Sequence, residues 1–141
     1  MKRVRMGKGF GLLLVFFVLP LLMSPVTVQA QGTIKVGILD PYTGHPAVYA
    51  NDALNGFKLA LSEINKAGVL GRKVEFTTRD TKFKVDIGLS MAKELVMMEK
   101  VDLLVGTINS AVSLAVSDYA KGEKVPFIVW VAKSEKITGE K

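Results

Sequence analysis

From Thr33 onward the chain alternates short apolar runs rich in β-branched residues with longer segments whose apolar positions recur at helical spacing. That alternation is the signature of βα units around a parallel sheet. The pattern predicts strands from Ile34 to Leu39, Lys73 to Thr78, Asp102 to Val105 and Pro126 to Val131. Three helices are predicted between them. The first, about Ala50 to Lys66, puts Ala53, Leu54, Phe57, Ala60, Leu61 and Ile64 on one stripe and stops at Ala67-Gly68, with Asn51 and Asp52 suiting its first turn. The second, about Val85 to Glu99, buries Ile87, Met91, Leu95 and Met98, and the third, about Ser110 to Lys121, turns Val112, Ala115, Val116 and Tyr119 inward. Met91 and Met98 then read as core filling, not as a sulfur ligand set. Right-handed crossovers favour a sheet order 2-1-3-4, a doubly wound α/β arrangement with ligands expected at the carboxyl ends of the strands.

The chain has 141 residues, 49% apolar, with no Cys and a net charge of +6. It is too apolar for a disordered tail, and it carries no thiol for a disulfide framework or a thiolate metal site. Much of the charge is an address. Lys2, Arg3, Arg5 and Lys8 precede an uncharged apolar run from Gly11 to Met23, followed by Ser24, Pro25 and Val28-Gln29-Ala30, which describes a secretory signal peptide cleaved after Ala30. The run is short of the roughly 20 residues that a spanning helix needs, and Pro20 interrupts it. Four of the 19 basic residues and none of the 13 acidic ones lie in residues 1–30, so the remainder carries +2. There the Lys and Arg alternate with Asp and Glu, which argues against a nucleic-acid surface.

The residues after the first strand read D-P-Y-T-G-H-P-A-V-Y, without the glycines of a dinucleotide or phosphate loop, so no cofactor is expected. The third strand ends Val105-Gly106-Thr107, where a receiver domain would place its acceptor aspartate. Asp40 reads as a loop cap, and His45, the single histidine, has no companion that would make it a metal ligand or a base. What remains is a binding constellation in Gly106-Thr107-Ile108-Asn109-Ser110-Ala111. Free N–H groups and a hydroxyl at a helix start suit a carboxylate, while Asn109 or Ser110 equally suits the role of helix cap.

Four stretches carry a family likeness: I-K-V-G-I-L-D-P-Y-T-G at 34–44, D-A-L-N-G-F-K-L-A-L-S-E-I-N-K-A-G-V-L-G-R-K-V-E at 52–75, V-D-L-L-V-G at 101–106 and K-V-P-F-I at 124–128. They resemble the periplasmic solute-binding proteins of branched-chain amino acid ABC importers, the leucine/isoleucine/valine-binding type. The resemblance implies a type I periplasmic-binding-protein lobe, one of two hinged α/β lobes that hold an amino acid or related small carboxylate and deliver it to a membrane permease. It implies no catalysis. By the same resemblance Ser110, with the local N–H groups of Asn109 and Ala111, would hold the ligand carboxylate, and Tyr49, the aromatic before the first helix, would pack on the ligand. After the fourth strand, Val131 would offer a main-chain carbonyl to an ammonium.

Two departures stand out. Lys133 occupies the place of the family's Thr and puts a cation where the family binds an ammonium, so a ligand with an extra acid or without an amine becomes an alternative; Lys133 could equally snorkel to solvent. The chain also stops about a third of the way through a family member, so residues 31–141 are expected to be the N-terminal part of the first lobe, its sheet incomplete and the second lobe absent. A ligand-sensing periplasmic subunit of a signalling system uses the same fold and stands as the rival function, beside a non-functional truncated fragment. A secreted hydrolase is a third reading, against which the missing catalytic set argues.

Overall fold

The protein was analysed as a computed structural model in which residues 32–139 are described. The predicted signal peptide, residues 1–30, lies outside them. The elements follow in the order β1 (Ile34–Asp40), α1 (Ala47–Ala67), β2 (Val74–Asp80), α2 (Val85–Met97), β3 (Leu103–Gly106), α3 (Ser110–Glu123) and β4 (Phe127–Ile128), with a single 3₁₀ turn at Glu135–Ile137. All four strands are parallel in the order β2-β1-β3-β4, as the crossover argument predicts. β1 is central and pairs along its whole length with β2, from Ile34 opposite Val74 to Asp40 opposite Asp80.

Successive residues of a strand face opposite sides, and this divides the core in two. Leu39 and Leu104 join Ala92 and Leu95 of α2 and Val112, Val116 and Ala120 of α3. On the other face Val36, Ile38 and Val105 meet Leu54 of α1, with Phe57 and Phe76 edge to face at 5.4 Å. The first face is tightly closed because α2 and α3 can approach each other at Gly88, where a Cβ would stand 2.5 Å from a Val112 methyl. Arg79 of β2 fastens the end of α2 by pairing with Glu94 at 2.9 Å and with Glu99.

Several expectations need correction. The fourth strand ends at Ile128 and not at Val131, because the chain then turns across the sheet's carboxyl end: the Trp130 indole bonds Asp40, the Ala132 N–H donates to the Thr107 carbonyl at 3.1 Å and the Lys133 N–H to Ser110 Oγ. α1 starts at Ala47, three residues early, since Pro46 pre-sets a helical φ and can open a helix. Tyr49 therefore lies inside the helix, and Asn51 and Asp52 fall beyond its first turn, which holds no acid. Only Ala50 and Leu54 of α1 are buried, while Ala60 and Ile64 of the predicted stripe are exposed. A lone helix touches the sheet along a narrow line, and the rest of that face is packed by side chains such as Tyr42 and Trp130. Met98 caps the C-terminus of α2 and is 76% exposed, so it fills no core.

Candidate functional site

At the carboxyl ends of the strands the loops are held by two aspartates that face each other across β1 and β2. Asp40 is fully buried; its Oδ1 accepts the Ile108 N–H at 2.9 Å and its Oδ2 the Trp130 indole N–H at 2.8 Å. Burial raises its pKa to about 6, against the lowering effect of those two donors. Asp80 is desolvated too, but donation from the Lys82 N–H at 2.8 Å, the Thr43 hydroxyl at 2.7 Å and the Tyr42 N–H at 3.0 Å outweighs this and holds it below its ordinary value. The Tyr42 phenol, buried beside both acids without a hydrogen-bond partner, is pushed well above its usual value by burial and by their charges. Asp40 thus caps a loop, as the sequence suggests, and also anchors a tryptophan ninety residues along.

These ties shape a cleft of about 390 Å³ lined by Pro46 and Tyr49 of the α1 start, Phe83 after β2, Ile108 and Ser110 at the β3–α3 turn, and Val131 and Lys133 after β4. β3 reaches this end by passing close to β1: at Gly106, with φ +135°, a Cβ would stand 2.0 Å from the Leu39 carbonyl oxygen, so a side chain is excluded there. Four residues singled out in the sequence, Tyr49, Ser110, Val131 and Lys133, meet in this cleft. Asn109 and Ala111 do not line it. Asn109 is the cap of α3: its Oδ1 accepts from the Ala111 N–H at 2.9 Å and the Val112 N–H at 3.3 Å, and its Nδ2 donates to the Phe83 carbonyl at 3.1 Å. The Ala111 N–H is therefore occupied by the cap. Ser110 Oγ accepts the Lys133 N–H at 3.2 Å and keeps its own proton for donation.

Sequence reasoning missed Phe83 and Pro46, and placed Ile108 in the binding stretch without a role. Phe83 sits in the left-handed region, φ 61°, after Lys82 at φ 48°, on a turn held by the buried Thr81, whose hydroxyl accepts the Phe83 N–H at 3.3 Å. The available signal was an aromatic inside Lys82-Phe83-Lys84 just past a strand end, where polar residues are usual. His45 is exposed, and among the described residues no group of three or more His, Cys, Asp or Glu side chains could hold a metal. No described helix is long and apolar enough to cross a membrane. A second hollow, of about 310 Å³ and lined by Lys35, Glu75, Phe76, Met98 and Glu99 among others, gathers none of the predicted site residues.

Among curated proteins, a Leu/Ile/Val-binding protein of Rhizobium johnstonii, BraC3, is 32% identical over 110 residues, which is 77% of this chain and 30% of the relative. Among solved structures, the branched-chain amino acid transporter substrate-binding protein LivJ of Streptococcus pneumoniae, in complex with isoleucine, superposes with a TM-score of 0.71 at 32% identity over 75% of this chain and 31% of that one. A solute-binding protein of an ABC transporter from Rhodopseudomonas palustris, in complex with 3,4-dihydroxybenzoic acid, gives a TM-score of 0.71 at 32% identity over 75% and 29%. The chain spans just under a third of the length of these relatives. The likeness is to binding proteins and not to enzymes. The periplasmic binding protein family profile matches residues 33–141, which holds all four strands, all three helices and every residue of the cleft, and the chain belongs to that family.

Proposed function

We propose that the protein is the extracytoplasmic solute-binding component of an ABC importer, capturing an amino acid or related small carboxylate and presenting it to a membrane permease. Residues 1–30 serve as its signal peptide, and residues 31–141 form the N-terminal part of its first ligand-binding lobe. The reading rests above all on the convergence of Tyr49 from the start of α1, Ser110 from the start of α3, and Val131 and Lys133 from the segment after β4, on one cleft at the strand ends. In that cleft the Ser110 hydroxyl donates to the ligand carboxylate while Tyr49, Phe83 and Ile108 cover its apolar body; the cap made by Asn109 over the Ala111 N–H holds the serine in place. Closure of a second lobe over the ligand then removes it from water.

Two of the similar structures hold isoleucine and 3,4-dihydroxybenzoic acid, so both chemistries are natural probes. Calorimetry on the protein in its full natural length should find one of them bound, and Ser110→Ala should weaken that binding by about 1–3 kcal/mol, the usual cost of losing a hydrogen bond to a charged group. Unchanged affinity at unchanged stability would remove Ser110 from the site.

A further inference from the structure

Among the described residues the cleft is lined by one cation, one aliphatic hydroxyl and otherwise apolar or aromatic side chains, with no carboxylate. The two acids at the ends of β1 and β2 are already engaged. Asp40 accepts from Ile108 and Trp130, and Asp80 accepts from Tyr42, Thr43 and Lys82, so neither turns an oxygen to the cleft without releasing a loop. A zwitterionic ligand would thus bring its ammonium to a wall that offers no anionic partner among the described residues and carries Lys133. Like charges brought together disfavour binding, and specificity is often set by such a repulsive element.

Lys133 is well fixed at its root. Its N–H donates to Ser110 Oγ at 3.2 Å, and the neighbouring Ala132 N–H donates to the Thr107 carbonyl at 3.1 Å, so the lysine stands beside the serine hydroxyl at the start of α3. It forms no ion pair with any described acid. A hydroxyl and a cationic side chain on the same lining suit a carboxylate, and the apolar remainder of the lining suits a body without further charge.

We infer that the cleft selects a monocarboxylate with an aromatic or branched apolar body and no α-ammonium, with Lys133 as the residue that sets this specificity. The inference rests on the cleft being the ligand site. Two probe pairs test it, each differing only in the α-ammonium: 4-methylpentanoate against leucine, and 3-phenylpropanoate against phenylalanine, titrated calorimetrically into the protein in its full natural length. The des-amino acid of each pair should bind at least tenfold tighter than its amino acid. Lys133→Thr should abolish that preference, and Lys133→Arg should keep it. Leucine or phenylalanine binding as tightly as its partner, glutarate binding tighter than either monoacid, or a preference unchanged by Lys133→Thr would each overturn the inference. Amino-acid binding as tight as that of the des-amino acid, and weakened by Ser110→Ala, would end it while leaving the cleft as the ligand site, whereas no binding of any probe would end both.

Discussion

The buried carboxylate of Asp40 ties the cleft to the stability of the fold, and the tie is dependent on pH. In the unfolded chain the carboxyl has its ordinary value of 3.8, and in the fold it is raised to about 6. Between those values the folded state holds a proton that the unfolded state has released, so stability falls as pH rises. The contribution is fully present below about 4 and is lost by the time pH passes about 6. Its size follows from the separation of the two values, about 3 kcal/mol at 1.36 kcal/mol for each pH unit. Asp80, held below its ordinary value, acts in the opposite sense: its contribution is present above the ordinary carboxylate range and is lost only as pH falls through its folded value. The interval from 4 to 6 therefore belongs to Asp40.

Asp40→Asn removes the titration and keeps the shape. The amide has one acceptor for two donors, so it can satisfy the Ile108 N–H or the Trp130 indole but not both, and at pH 4 the variant should be less stable by about 1–3 kcal/mol. Between pH 4 and 7 the difference in unfolding free energy should then move by about 3 kcal/mol in favour of the variant. Urea unfolding of residues 31–141, in a His45→Asn background that removes the only histidine, measures this. Trp130 is the only tryptophan of the chain, so its fluorescence supplies a second readout, with a transition near pH 6 in the parent and none in the variant. A stability difference constant within about 1 kcal/mol from pH 4 to 7 would refute the reasoning.

Two further outcomes are expected. Asn109→Ala should cost about 0.5–2 kcal/mol, because it strips the cap from α3 and frees the Phe83 carbonyl, and thermal unfolding should show the loss while Asn109→Asp, which keeps an acceptor for the helix, recovers part of it. Exported from a Gram-negative host, the protein should carry Gln31 as its new N-terminus, and Edman sequencing that still begins at Met1 would count against a cleaved leader.

Whether a residue's role is legible in the sequence depends on where its partners lie. The sheet order follows from βα alternation and crossover handedness, both of which short segments encode, and β1, α3 and the stop of α1 at Gly68 all fall close to their expected places. The fourth strand does not. Val129-Trp130-Val131 has strand composition, yet the indole is claimed by a carboxylate ninety residues earlier, and no local pattern records that. Asn109 and Ser110 are both good caps by type. The Phe83 carbonyl, 26 residues away, decides between them by taking the Asn109 Nδ2, which leaves Oδ1 facing the helix.

The same long-range ties explain the charge of the site. Where β1 and β2 end, each strand supplies an aspartate. Asp40 braces the β3–α3 turn and the segment after β4, and Asp80 braces the loop after β1 and its own turn. A carboxylate that accepts two or three protein donors has little left to offer a ligand, and turning it outward would leave a buried N–H unpaired at a cost of about 1–3 kcal/mol. Their oxygens are occupied in positioning Ile108, Trp130 and Tyr42, so the negative charge at this end of the sheet holds the walls while the cleft itself presents Ser110 and Lys133. The cleft's proposed preference for a carboxylate rests on this division of charge between walls and lining.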